Sequence, residues 1–196
     1  MQSKISLKHS LSIAGIAFFL VVVFCLIENQ FPRGYYVKTM LPDSEIVLKY
    51  TIRLKIPEIN VDIVVEQLGL TIDGFMDASK DPASAAWFAL GPRPGEKGSA
   101  VISGHYGWKN GMPAIFDNLH KLVKGDRLYV EDEKGAITTF VVQEIRTYGQ
   151  NDDVSAVFTS SDGKAHLNLI TCEGVWDKVS KSYSNRLVVF SDKEAK

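Results

Sequence analysis

The stretch Leu167-Asn168-Leu169-Ile170-Thr171-Cys172 reads as a strand that delivers a cysteine at its C-terminal end. Side chains along a strand point to opposite faces in turn. That puts Leu167, Leu169 and Thr171 on one face and Asn168, Ile170 and Cys172 on the other. Fourteen residues beyond the cysteine, Tyr183-Ser184-Asn185-Arg186-Leu187-Val188-Val189 brings Arg186 to the start of another strand. Arg186, Val188 and Phe190 share a face of it. Upstream, Val101-Ile102-Ser103-Gly104-His105 carries a histidine to the end of a third apolar run.

The rest of the chain after residue 45 has the same texture. Alternation predicts strands over the second half of Glu45–Ile56, and over Val61–Glu66, Gly98–Ser103, Arg127–Glu131, Thr138–Ile145, Leu167–Thr171 and Arg186–Phe190. The runs 127–131 and 138–145 flank Lys134-Gly135 as a hairpin. Helical signals are short. Asp81-Pro82 is a cap followed by proline at the first helical position, which predicts one turn up to Phe88. Met112–Leu122 and Asp152–Phe158 are two further candidates. Many short strands at even spacing point to a closed barrel or a sandwich.

Near its N-terminus the chain is different. Leu11–Ile27 is seventeen residues without a charged side chain. As a helix it would span about 26 Å against a hydrocarbon core of about 30 Å, a gap that flanking side chains cover. The segment after it lacks the small residues of a signal-peptide cleavage site, so an uncleaved anchor is expected. Lys4 and Lys8 precede the run, which keeps the N-terminus in the cytoplasm and puts the rest outside the cell. The expected organisation is anchor over 1–28, stalk over 29–50 and catalytic domain over 51–196. With 22 Lys+Arg against 23 Asp+Glu and no long basic block, the footprint of a nucleic-acid binder is missing.

Of the two cysteines, Cys25 falls in the anchor, which leaves Cys172 as a lone thiol in the exported part. Free cysteines are commonly just small buried hydrophobes. Here a histidine and an arginine also stand at strand ends. Among the four histidines, His9 lies beside the anchor, and His120 and His166 read as packing or surface residues. No two stand at metal-ligand spacing. His105 alone sits in a loop at a strand end, where reactive side chains are commonly displayed.

These three residue types make up a thiol acyl-transfer set. The thiolate is the nucleophile, yet unperturbed cysteine and histidine titrate near about 8.5 and 6.5. Only a minority of molecules at neutral pH therefore holds thiolate with imidazolium, unless the site stabilises the pair. Attack on a peptide carbonyl creates an oxyanion that Arg186 and backbone N–H groups can stabilise. His105 then protonates the leaving amine. Two other arrangements compete: a papain-like hydrolase and a catalytically silent envelope β-domain that binds a partner. In the papain order the cysteine comes first and opens a helix, whereas His105 precedes Cys172 by 67 residues here.

The cysteine strand resembles the TLxTC motif of the sortases, with Asn168 in place of the first threonine. Asp73-Gly74-Phe75-Met76-Asp77, Trp87-Phe88, Pro94 through His105, Phe116-Asp117-Asn118-Leu119 and Lys124-Gly125-Asp126 are similar to the core of class E and F sortases. The resemblance covers roughly residues 52–191. It implies a mainly β fold, an eight-stranded closed sortase barrel with short helices behind one N-terminal transmembrane helix. It also implies His105, Cys172 and Arg186 as the catalytic trio. Thr171 and Glu173, the chain neighbours of the cysteine, are the candidate substrate or oxyanion residues. Alternation points the Thr171 side chain away from Cys172, so its share runs through the backbone. The implied partners are secreted proteins bearing a C-terminal LPxTG-like sorting signal, and an amine acceptor from a cell-wall precursor or a pilin lysine. No metal and no cofactor are expected.

Overall fold

The computed structural model describes residues 50–107 and 112–195. The expected anchor and nearly all of the expected stalk lie outside the described residues. No helix among the described residues is long and apolar enough to cross a membrane.

Eight strands form the domain: β1 (Ile52–Ile56), β2 (Val61–Leu68), β3 (Ala85–Phe88), β4 (Gly98–Gly104), β5 (Arg127–Glu131), β6 (Ile137–Gly149), β7 (Ala165–Asp177) and β8 (Ser182–Lys193). They close into a barrel in the order β1-β2-β3-β4-β7-β8-β6-β5. The pairs β2–β3 and β4–β7 are parallel, and the other pairs are antiparallel. Antiparallel neighbours can join through tight turns, while each parallel pair needs a crossover. The crossovers are the segments 69–84 and 105–164, and much of the functional site comes from them.

Alternation explains the core. Leu54, Ile102, Leu128, Phe140, Leu167 and Leu169 have no solvent exposure and meet inside the barrel. Burying one such side chain contributes about 1.5–3 kcal/mol. A smaller cluster covers the outer face, where Val101, Val188 and Tyr148 pack with Val157 and Phe158 of the short helix Ser155–Phe158. That helix was expected from Asp152–Phe158.

Three local expectations need correction. Asp81 does cap a turn, since its Oδ1 accepts from Ala83 N and its carbonyl accepts from Ser84 N. The chain then becomes extended, and 85–88 is strand β3 rather than helix. Edge pairing on both sides, Val65 with Ala85 and Ala85 with Gly104, outweighs the helical preference of the alanines. Met112–Leu122 keeps only the 3-10 turn Leu119–Lys121. Its apolar residues Phe116 and Leu119 are fully buried, so tertiary packing shapes the segment. Finally, β7 and β8 extend past the barrel as a hairpin, with Trp176 opposite Tyr183. Cys172 and Arg186 are thus interior strand residues instead of strand ends.

Candidate active site

Parallel pairing of β4 with β7 brings the C-terminal ends of both runs to the same end of the barrel. Ser103 stands level with Ile170. Two residues further along each chain are His105 and Cys172. On the other flank of β7, Cys172 is the direct cross-strand partner of Arg186, which in turn pairs with Tyr148 of β6. Barrel register therefore gathers the three candidates from distant parts of the chain.

They line one groove of about 660 Å³. Its walls are largely apolar: Leu70, Phe75, Met76, Phe88, Phe158 and Ile170. Leu70, Met76 and Phe75 come from the 69–84 crossover, which folds back on itself as Thr71 N donates to Phe75 O at 2.8 Å. Gly74 has φ +81°, a left-handed turn conformation that glycine adopts without strain. Sequence reasoning picked out Asp73-Gly74 as part of a motif but gave no hint that this turn walls the groove.

His105 is held from the same crossover. Its Nε2 lies 2.6 Å from the Ser79 carbonyl oxygen. A carbonyl only accepts, so Nε2 carries the proton in this contact. Ser79 is buried, with its hydroxyl donating to Glu66 Oε1 at 2.9 Å and accepting from Asp81 N at 3.1 Å. No sequence signal marked Ser79, because the contact runs through its backbone. Gly104, just before the histidine, has no room for a side chain: a Cβ there would strike the Phe116 ring and come within 2.8 Å of Ile115 Cγ2.

Cys172 is half-buried and forms no disulfide. Burial pushes its thiol pKa up, and the positive Arg186 nearby offsets part of that rise. The net effect favours the neutral thiol over the thiolate. Arg186 Nη1 donates to the carbonyls of Asn185 at 2.9 Å and Tyr183 at 3.1 Å, and Nη2 donates to Ser182 Oγ at 3.3 Å. Three of its five N–H donors are thereby used to hold the guanidinium in place.

Thr171 points into the barrel, as alternation predicts, and its hydroxyl donates to the Gly104 carbonyl at 2.7 Å. That bond ties β7 to β4 at the level of the candidate site. Glu173 does not line the groove. Its Oε2 accepts from Thr147 Oγ1 at 2.7 Å on the opposite side of the cysteine. Asn168, in the place of a threonine, is buried under the short helix and donates from Nδ2 to the Val157 carbonyl at 2.7 Å. No group of His, Cys, Asp and Glu that could hold a metal occurs among the described residues.

A protein-family model described as the sortase domain matches residues 54–194, which includes the whole constellation. The chain belongs to the sortase family. Solved structures agree on the fold. Sortase C-1 from Actinomyces oris is 24% identical with a TM-score of 0.58, over 74% of this chain and 74% of that one. A lid mutant of sortase A from Corynebacterium diphtheriae is 23% identical with a TM-score of 0.58, over 74% and 70% of the two chains. The sortase D5 transpeptidase of Clostridium perfringens is 21% identical with a TM-score of 0.55, over 74% and 79%. These neighbours are class A, C and D sortases, at identities where likeness carries the fold and not the class. No curated protein matches the sequence.

Proposed function

We propose that this sortase is a membrane-anchored cysteine transpeptidase that cuts an LPxTG-like sorting signal and passes the acyl part to an amine or to water. The observation that carries the reading is the cross-strand pairing of Cys172 with Arg186, on a groove that His105 also lines. The groove's apolar walls suit the acyl side of a short peptide, and Cys172 is part of its lining.

In this reading Cys172, as thiolate, attacks the scissile carbonyl. The C–N bond breaks, His105 protonates the departing amine, and a thioester remains on the sulfur. Arg186 stabilises the oxyanion of each tetrahedral state, its fork held beforehand by the Tyr183 and Asn185 carbonyls. The Ser79 carbonyl orients the imidazole throughout. The substrates are secreted proteins with a C-terminal sorting signal. The acceptor is a cell-wall precursor amine or a pilin lysine. The apolar run 11–27 anchors the chain with the catalytic domain outside the cell.

The test is to incubate the purified full-length chain with an LPxTG-containing peptide and trap the acyl-enzyme with hydroxylamine. The expected result is cleavage after the threonine and a hydroxamate product. Cys172→Ala should abolish both, since no neighbouring group can replace the sulfur. Undiminished cleavage by Cys172→Ala would overturn the mechanism.

A further inference from the structure

Cys172 stands in a wall between two cavities. Besides the apolar groove there is a smaller cavity of about 200 Å³, which shares only Thr171 and Cys172 with it. The rest of its lining includes Tyr106, Phe116, His120 and Glu173. This places a carboxylate and an imidazole, neither used in the chemistry above, on the far side of the nucleophile.

Glu173 is fixed by a side-chain contact, whereas His120 is exposed and is positioned through its backbone turn. Glu173 is held by Thr147, which occupies one carboxylate oxygen; a carboxylate accepts at both. His120 lies in the turn Leu119–Lys121, whose Leu119 is fully buried. That segment is locked to the strand end next to the cysteine. Phe116 N donates to the His105 carbonyl at 3.0 Å, while Asp117 accepts from Gly107 N at 2.7 Å and from Ala114 N at 2.9 Å.

The proposed reaction releases an amine in its first half and consumes one in its second. The bond formed is of the same kind as the bond broken, so the amine arrives by the route along which its counterpart left. Between the two steps the acyl chain stays on the sulfur and fills the groove. The amine therefore needs an opening onto Cys172 that the acyl chain does not block, and the small cavity is such an opening. A primary alkylamine arrives in water as an ammonium. A carboxylate favours that cation, and an imidazole is the side chain type that takes up protons near neutral pH.

We propose that the cavity lined by Tyr106, His120 and Glu173 binds the primary amine that resolves the thioester, a reading that rests on the function proposed above. Glu173 holds the ammonium, and His120 takes one proton from it. The freed lone pair attacks the thioester carbonyl carbon, the C–N bond forms and the C–S bond breaks. The second proton lost from nitrogen passes through His105 to the departing sulfur. Nothing is oxidised or reduced.

A binding experiment without turnover tests this. The isotopically labelled full-length chain carrying Cys172→Ala is titrated with glycinamide, for a peptide N-terminus, and separately with Nα-acetyl-lysine methylamide, for a lysine side chain. Saturable shifts of the His120 and Glu173 resonances with either amine are expected, and the tighter of the two identifies the source. Glu173→Gln should weaken that binding about tenfold, the loss of one charge-assisted contact. In the chain with Cys172 intact, Glu173→Gln and His120→Asn should each lower the ratio of amide to acid product. Absence of shifts with both amines would overturn the proposal, as would equal binding of N-acetylglycinamide, which has no amine. Failure of the unaltered chain to form a thioester is a separate result and would overturn the function reading instead.

Discussion

The inner and outer faces of β7 alternate residue by residue, yet they meet different surroundings. Leu167 and Leu169 point into a closed barrel and pack in its main apolar cluster. Asn168 and Ile170 point out and are covered by one short helix, and Cys172 lies just beyond its cover, on the groove. The inner face supplies stability and holds the register. The outer face inherits that register and spends it on chemistry. A nucleophile inside the barrel would be equally well positioned and unreachable.

The outer face is itself uneven. His166, near the start of β7, and Cys172, further along it, stand on the same side of the strand, and both have raised pKa values for opposite reasons. At Cys172 burial disfavours the charged form. At His166 burial also works against charge, but the carboxylates of Asp162 at 2.9 Å and Asp192 at 2.8 Å outweigh it and favour the imidazolium. The start of the strand is pinned by charge, while further along it burial favours the neutral thiol.

The largest break in this comparison should come from the inner face. Leu169→Ala removes a side chain with no exposure and leaves a cavity, so it should cost about 2–5 kcal/mol of stability in denaturant unfolding. Cys172→Ala, three residues along on the other face, should leave the unfolding midpoint close to that of the unaltered chain. Similar losses in both would erase the distinction between the faces.

Next in size is Arg186→Ala. If the guanidinium meets charge that develops in the transition state, kcat should fall about 10²–10³-fold, with KM changing far less. Arg186→Lys should restore only part, because an ammonium lacks the guanidinium fork. The same variant sharpens the electrostatic reading. Since Arg186 lowers the Cys172 pKa against the effect of burial, its removal should move the pH profile of iodoacetamide alkylation to higher pH. A shift to lower pH would contradict it, and unchanged turnover in a well-folded Arg186→Ala chain would leave a Cys–His dyad.

The smallest effect belongs to His166. Its folded-state pKa is raised above the ordinary value of about 6.5, so the ion pairs are complete below that pH and their stabilisation is lost as pH rises through the folded pKa. The gap in melting temperature between the unaltered chain and His166→Gln should therefore narrow as pH is raised from about 6 upward. A constant gap would mean that the contact is one of packing alone.

Local pattern was enough to locate β1, β2, β4, β5, β6, β7 and β8, because a half-buried strand writes its period of two into its own residues. It also sorted Cys172 with Asn168 and Ile170, and Arg186 with Val188 and Phe190, onto one face of their respective strands. It missed β3, where Ala85-Ala86 carries no alternation and the extended form exists only because β2 and β4 lie on either side. The groove was illegible for the same kind of reason. Its turn residues Leu70, Gly74, Phe75 and Met76 join His105 and Cys172 in one lining, and the Ser79 carbonyl meets His105, only after two crossovers have closed. What the sequence by itself determined is which residues could be strands and which side chains carry reactive chemistry, since both depend on near neighbours along the chain. Only the tertiary structure decided that the thiol, the imidazole and the guanidinium share one groove, with a second cavity behind the sulfur. Pairing register is a property of two strands at once, and no single stretch of sequence contains it.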